Sequence, residues 1–200
     1  MKRKKVVIIG AGASGLLAAI YARKSGNDTI LIEKNEICGK KILATGNGRC
    51  NFWNQDQSLK HYRGSDLKCI GEILNEENKE KVLTFFKKIG IEPRIKNGYY
   101  YPFSNQAVSI QKSLILEAEK QEVNIFTNSE VIDILKENGK YITILKNQKK
   151  IISDMVILST GSKAAPKTGS DGFGYEICKK IKHTINKPLP ALVQLRANEK

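Results

Sequence analysis

The stretch VVIIGAGASGLLAAIYARKSGNDTILIE, residues 6–33, reads as strand, turn, helix and strand in one pass. Residues 4–9, KKVVII, are an almost unbroken apolar run rich in β-branched side chains, as expected of a parallel strand buried on both faces. Residues 10–15 spell G-x-G-x-x-G. Residues 14–25 carry Leu16, Leu17, Ala19, Ile20 and Ala22 at helical spacing, and Gly26 stops that helix. Residues 29–33, TILIE, form a second strand that ends on an acid.

The glycine pattern alone is weak, but between a strand and a helix it is in the context that a dinucleotide requires. Gly10 permits the tight turn, Gly12 lets backbone approach a pyrophosphate, and Gly15 lets the helix pack close on the strand. The helix start then offers free N–H groups and its positive dipole end to phosphate. Glu33 follows Gly15 by 18 residues (33 − 15), where a carboxylate can accept hydrogen bonds from both hydroxyls of an adenosine ribose. It would repel a 2′-phosphate, which argues against NADP at this position. The bland alternative is a glycine turn in an unrelated α/β fold with a chance acid; turn, helix and acid together favour the dinucleotide.

A second segment, CGKKILATGNGRCN at 38–51, follows the acidic strand closely enough to lie near the same crevice. Gly46 and Gly48 allow close backbone approach. Lys40, Lys41 and Arg49 bring positive charge, and Asn47 and Asn51 bring amide donors and acceptors. Such a loop suits a pyrophosphate or the polar edge of a ring system. A glycine-rich surface turn with incidental cations is the plainer reading.

Downstream, 34–58 reads as a long loop and 65–90 as two helices, the second amphipathic and ended by Gly90. Asn97-Gly98 marks a turn beside a short tyrosine-rich strand. Residues 106–121 read as an amphipathic helix with Ser104 or Asn105 near its start, and 123–126 as a short strand. Residues 129–153 alternate as a three-stranded antiparallel meander broken at Asn138-Gly139 and at NQKK. DMVILSTG, 154–161, is another buried strand running into a glycine turn, followed by a Gly/Pro-rich loop over 160–174 and a helix at about 175–183. KPLPALVQLRANEK, 187–200, reads as a linker and then a strand.

The bulk properties narrow the class. With 40% hydrophobic and 27% charged residues, the 200-residue chain has an ordinary globular composition. No apolar run approaches the roughly 18–20 residues of a membrane helix. The basic start is followed only by VVII before glycines intervene, too short for a signal peptide, so a cytoplasmic protein is expected. Cys38, Cys50, Cys69 and Cys178 show no C-x-x-C spacing, and His61 and His183 stand far apart, which argues against zinc and against a disulfide framework. The net charge of +14 would suit nucleic acid, an anionic membrane or an anionic ligand, but the lysines are spread evenly, as on solvated helix faces. No specific nucleic acid and no membrane is expected as a partner.

A meander placed between parallel strands, then a strand ending in Thr160-Gly161, is the layout of the FAD domain in glutathione-reductase-like flavoproteins. VVIIGAGASGLLAA, GKKILATGNGRCN, YYYPFSNQA and STGSKAAPKTGSDGFGYEI together resemble the BaiN-type flavoproteins, the NAD(P)/FAD-dependent oxidoreductases of the aminoacetone-oxidase family. The resemblance implies an α/β, Rossmann-like FAD-binding domain over 1–188 and the start of a β-rich insertion domain over 189–200. It implies FAD extended across the sheet, with Gly10, Gly12, Ala13, Ser14 and Gly15 at the pyrophosphate and Glu33 at the adenosine ribose. Lys34, Gly39, Lys40, Lys41 and Thr45 join the candidate cofactor set. Gly46, Asn47, Gly48, Arg49, Cys50 and Asn51 would run beside the ribityl chain and flavin. Val131 would meet adenine through its backbone, and Thr160 and Gly161 would pass near the dinucleotide.

The expected activity is flavin-mediated hydride transfer with NAD(P)H as reductant. The rivals are a Rossmann-type NAD-binding module without flavin, a basic nucleic-acid-binding module, and an inert remnant that carries the motifs. Family members continue into an inserted domain and a returning strand and helix, so exposed apolar surface and self-association are expected of this chain. Arg49 and loop N–H groups could activate Cys50, but a small residue packed beside the flavin is the simpler role.

Overall fold

The computed structural model describes residues 2–64 and 66–190. Its centre is a four-stranded parallel sheet in the order β10 (Met155–Leu158), β1 (Lys5–Ile9), β2 (Asp28–Ile32) and β6 (Asn124–Phe126). Strand β1 (Lys5–Ile9) leads into helix α1 (Ala13–Lys24), which returns to β2 (Asp28–Ile32). The chain then leaves the sheet through α2 (Lys40–Ala44), β3 (Trp53–Asn54), α3 (Leu67–Ile73), α4 (Glu76–Lys88), β4 (Pro93–Lys96), β5 (Tyr99–Pro102) and α5 (Ala107–Lys120). Strand β6 (Asn124–Phe126) pairs with β2 at one edge. The meander β7 (Val131–Glu137), β8 (Lys140–Leu145) and β9 (Lys150–Ser153) follows, then β10 (Met155–Leu158) beside β1 and helix α6 (Phe173–Lys180).

Alternation along β1 explains the layers. Val6 and Ile8 face a core that includes Leu16, Ala19 and Ile20 of α1 and Ile110, Leu114 and Ala118 of α5. Val7 and Ile9 face the opposite core, with Val131, Ile134, Leu145 and Ile151 of the meander and Ile177 of α6. Successive strand side chains point to opposite faces, so a strand covered on both sides must be apolar throughout. Each such Ile or Leu removed from water contributes about 1.5–3 kcal/mol. The hairpin turns follow their predicted chemistry: Asn97-Gly98 and Asn138-Gly139 all have positive φ, the backbone of a type I′ turn.

Several boundaries differ from the sequence reading. The segment 34–58 is not wholly loop, since it contains α2 and β3. Helix α6 begins at Phe173 instead of near 175 and ends at Lys180. Glu33 stands one residue past β2 instead of closing it. Residues 183–190 have no regular structure, and the strand expected beyond them, with most of the 189–200 segment, lies outside the described residues. Met155 on β10, Ile132 and Ile152 on the meander and Ile181 after α6 are exposed apolar side chains. No helix among the described residues is long and apolar enough to cross a membrane.

Candidate functional site

The site is built at the carboxyl end of the parallel sheet, where β1 turns into α1. Gly10 has φ +95°, and a Cβ there would lie 2.6 Å from the Ser159 carbonyl oxygen. Gly15 sits under the turn, where a Cβ would lie 1.8 Å from the Gly10 oxygen. Both glycines let three backbone segments converge. The helix begins at Gly12, which has no side-chain cap and no acidic residue in the turn that follows. A Cβ on Gly12 would meet nothing within 4 Å. The start of α1 therefore faces open space with its N–H groups, the arrangement that attracts phosphate.

Glu33 lies beside this turn and is buried. Its Oε2 accepts from Ala11 N at 2.8 Å, and its Oε1 accepts from Asn35 N at 2.9 Å and Asn35 Nδ2 at 2.6 Å. The second segment is tied to the first directly: Gly39 N donates to the Ala11 carbonyl at 2.7 Å. Gln111 of α5 donates to the Cys38 carbonyl at 2.7 Å and fixes the same corner from behind. The glycine turn and the 38–51 segment thus share one cleft of about 530 Å³, within the range of small-molecule sites.

Most of the candidate residues line that cleft: Gly10, Gly12, Ala13 and Ser14 from the turn, Glu33 and Lys34 after β2, Gly39, Lys40, Lys41, Thr45, Cys50 and Asn51 from the second segment, Val131 at the start of the meander, and Thr160 and Gly161 after β10. Gly15 does not reach it, because its position under Gly10 is taken up by packing. Gly46, Asn47, Gly48 and Arg49 also stand outside the lining. The Arg49 Nε donates to the Gly46 carbonyl at 2.9 Å and its guanidinium lies over the Tyr101 ring at 5.2 Å. Asn51 is held by its own amide, which donates to the carbonyls of Trp53 at 2.7 Å and Tyr100 at 3.0 Å.

Sequence reasoning missed part of the wall. Asn35, Ser129, Glu130 and the run Thr168–Asp171 all line the cleft. Lys34 does not point a free charge at a ligand; its Nζ pairs with Asp171 at 2.6 Å. That ammonium holds the Asp171 carboxyl below the usual carboxylate range. The signal that could have found this run is its turn chemistry, PKTGSDG, with Pro166 opening a 3₁₀ turn and Gly169 at φ +100° closing it.

Neither Cys50, which lines the cleft, nor Cys38, which does not, is activated. Burial pushes the Cys50 thiol up, only partly offset by a hydrogen bond from Thr45, and the Arg49 guanidinium is turned away toward Tyr101. Arg49 therefore does not activate Cys50, the less favoured of the two roles weighed for it. Cys38 is pushed up to about 11, by burial first and by the charges of Glu33 and Glu119 next. Cys69 is exposed. Maleimide at pH 8 is expected to label Cys69 first, with Cys38 and Cys50 slower by about tenfold or more, because the thiolate is the reacting form and both are buried. Mass spectrometry of timed samples checks this; Cys50 labelled as fast as Cys69 would restore it as a reactive residue.

The cleft, a glycine turn and a buried acid on a parallel sheet invite comparison with known proteins. The model of the HI0933-like protein Rossmann domain matches residues 4–193. The chain belongs to this HI0933-like Rossmann family. It is 39% identical over 197 residues to the 3-dehydro-bile acid delta(4,6)-reductase of Clostridium scindens, covering 98% of this chain and 48% of that protein. It is 27% identical over 209 residues to the ribosomal RNA dihydrouridine synthase of Escherichia coli, covering 98% of this chain and 52% of that one. The chain thus spans about half the length of the curated relatives it matches. In fold it resembles the open conformation of a flavocytochrome c3 fumarate reductase, with a TM-score of 0.68 at 17% identity over 90% of this chain and 40% of that one. It also resembles the 3-ketosteroid-delta4-(5alpha)-dehydrogenase of Rhodococcus jostii, with a TM-score of 0.58 at 16% identity over 80% of this chain and 46% of that one.

Proposed function

We propose that the chain is the FAD-binding domain of an oxidoreductase. One observation carries the reading: an uncapped helix start, a buried carboxylate and the 38–51 segment meet on a single cleft. The residues fit the cofactor chemically. The open space above Gly12 leaves room for a pyrophosphate against the α1 amides, and Lys40 and Lys41 line the same cleft. Glu33 would take the adenosine ribose and Val131 the adenine. Thr45, Cys50 and Asn51, with Thr160 and Gly161, would border the ribityl chain and ring.

When bound, the flavin supplies two-electron chemistry, accepting a hydride and passing it on. The protein's own part would be to bind the phosphates, orient the ribose and border the ring with Phe52. The two named relatives are a reductase and a dihydrouridine synthase, activities that add hydrogen to their substrates. We favour that direction here, with NADH or NADPH as the reductant. We place the protein in the cytoplasm, which suits four free cysteines.

The test is an absorbance spectrum of the purified chain after incubation with FAD and removal of free nucleotide. Retained bands near about 370 and 450 nm are expected, since that colour belongs to the cofactor. A colourless chain that binds NADH would favour the flavin-free Rossmann reading.

A further inference from the structure

We propose that residues 161–172 form a strap that closes the adenosine end of the cleft, and that Lys34 and Asn35 act as its latch. The proposal rests on the FAD reading above.

The strap joins β10 to α6 and is folded within itself. Ala165 and Ser170 form a β-bridge, Thr168 Oγ1 donates to the Ala165 carbonyl at 2.8 Å, and Gly169 N donates to the Pro166 carbonyl at 2.9 Å. Its two ends close on each other. A Cβ on Gly161 would lie 2.6 Å from Ser170 Oγ, and one on Gly174 would lie 2.4 Å from Thr160 Oγ1. A piece so braced moves as a unit, and its inner side lines the cleft through Thr168–Asp171.

Across the cleft the strap meets the residues that follow Glu33. Lys34 Nζ pairs with Asp171 at 2.6 Å, and Asn35 Nδ2 reaches the Thr168 carbonyl at 3.5 Å. Gly169 is pressed against both, since a Cβ there would lie 2.8 Å from Asn35 Nδ2 and 3.1 Å from Lys34 Cε. The same Asn35 amide donates to Glu33 Oε1 at 2.6 Å. Asn35 is thus a positioning residue between the ribose carboxylate and the strap.

The strength of the latch suits opening. The two charged side chains are 32% and 47% exposed, and ion pairs of that kind are weak and screened by salt. Segments that must open for a ligand are drawn from the weakly held parts of a fold. A strap braced internally but held shut by one half-exposed ion pair, one long hydrogen bond and the packing of Gly169 on Lys34 and Asn35 can swing aside without unfolding the sheet.

Two measurements on the full chain test this, using Lys34→Ala, Asn35→Ala, and the charge swap of Lys34→Asp with Asp171→Lys. The first is hydrogen exchange of the 165–172 amides without added nucleotide. The second is the rate of FAD release, followed by flavin fluorescence at two salt concentrations. Lys34→Ala should speed both by about 1.4- to fivefold, the range for an exposed ion pair. Added salt should speed release from the wild type more than from Lys34→Ala, whose remaining salt dependence comes from the phosphate contacts, and the swap should restore slow release. Asn35→Ala should speed release at either salt concentration. Unchanged exchange in Lys34→Ala overturns the latch whether or not flavin binds. Bound flavin that leaves every variant at the wild-type rate overturns the strap while sparing the FAD reading. A wild-type chain that takes up no flavin overturns both.

Discussion

Gly15→Ala is expected to cost the domain much of its stability, whereas Gly12→Ala, three residues earlier, is expected to leave the fold intact and empty the cleft. The added Cβ at Gly15 would stand 1.8 Å from the Gly10 oxygen, 3.0 Å from the Gly10 carbonyl carbon and 3.2 Å from Ser159 Cβ. The closest obstacles are backbone atoms, and Gly10 cannot retreat. Its N–H donates to the Ile32 carbonyl at 2.8 Å, and its other side is closed by the Ser159 carbonyl. Helix α1 must therefore lift off the sheet, opening the contacts of Leu16, Ala19 and Ile20, all fully buried. Overpacking of a core costs about 1–3 kcal/mol, and rigid backbone on the receiving side puts this case at about 3 or above. That is a large share of the about 5–15 kcal/mol that holds a domain together. At about 2–4 °C per kcal/mol, the melting midpoint should fall by about 6–12 °C. Gly12, in contrast, has φ −73°, which alanine adopts freely, and its Cβ would meet nothing within 4 Å. Its methyl group would occupy the space that faces the α1 amides, so melting should stay near the wild type while FAD uptake falls. Thermal melts and flavin titrations of the two variants give opposite patterns; a Gly15→Ala chain that melts like the wild type would mean that the turn is looser than described.

The unit around that turn was legible because its signals are local. A strand buried on both faces must read as VVII, a close helix–strand crossing must have glycine at Gly15, and the acid that meets Ala11 follows directly on β2. The meander was legible for the same reason, since period-two alternation and the Asn138-Gly139 turn lie within a few residues of each other. The 38–51 segment was only half legible. Its composition announced a binding loop, but which residues face inward depends on partners far along the chain. Arg49 turns outward to Tyr101, and Asn51 is held by Tyr100, 49 residues away. Helix α2 has only five residues after a left-handed Gly39, too few for periodicity to register. The strap shows in the sequence only as a Gly/Pro-rich loop, because its defining ion pair joins residues 137 apart.

Glu33→Ala is expected to lower both stability and cofactor affinity, and the two losses have separate causes. The carboxylate accepts three N–H groups on two oxygens, and it does so in a buried position. Ala11 is itself fully buried with Glu33 in place, so its N–H would lose the acceptor that satisfies it. A buried donor left unpaired costs about 1–3 kcal/mol, and the loss of a charged acceptor places the change toward the upper end. The melting midpoint should drop by about 4–12 °C, at about 2–4 °C per kcal/mol. Glu33→Gln should not repair this fully. Its amide has one accepting oxygen, so one end of the side chain would bring a second donor against either Ala11 N–H or the Asn35 amide. The ribose reading adds a further requirement: at a temperature where the variant is folded, FAD should bind more weakly, because the oxygens that would take the hydroxyls are gone. If Glu33→Ala melts lower but holds FAD as tightly as the wild type, the carboxylate is a structural clasp for Ala11 and Asn35, and the adenosine end must lie elsewhere in the cleft. If it melts normally, another acceptor has moved to Ala11, and the coupling from ribose through Asn35 to the strap loses its first link.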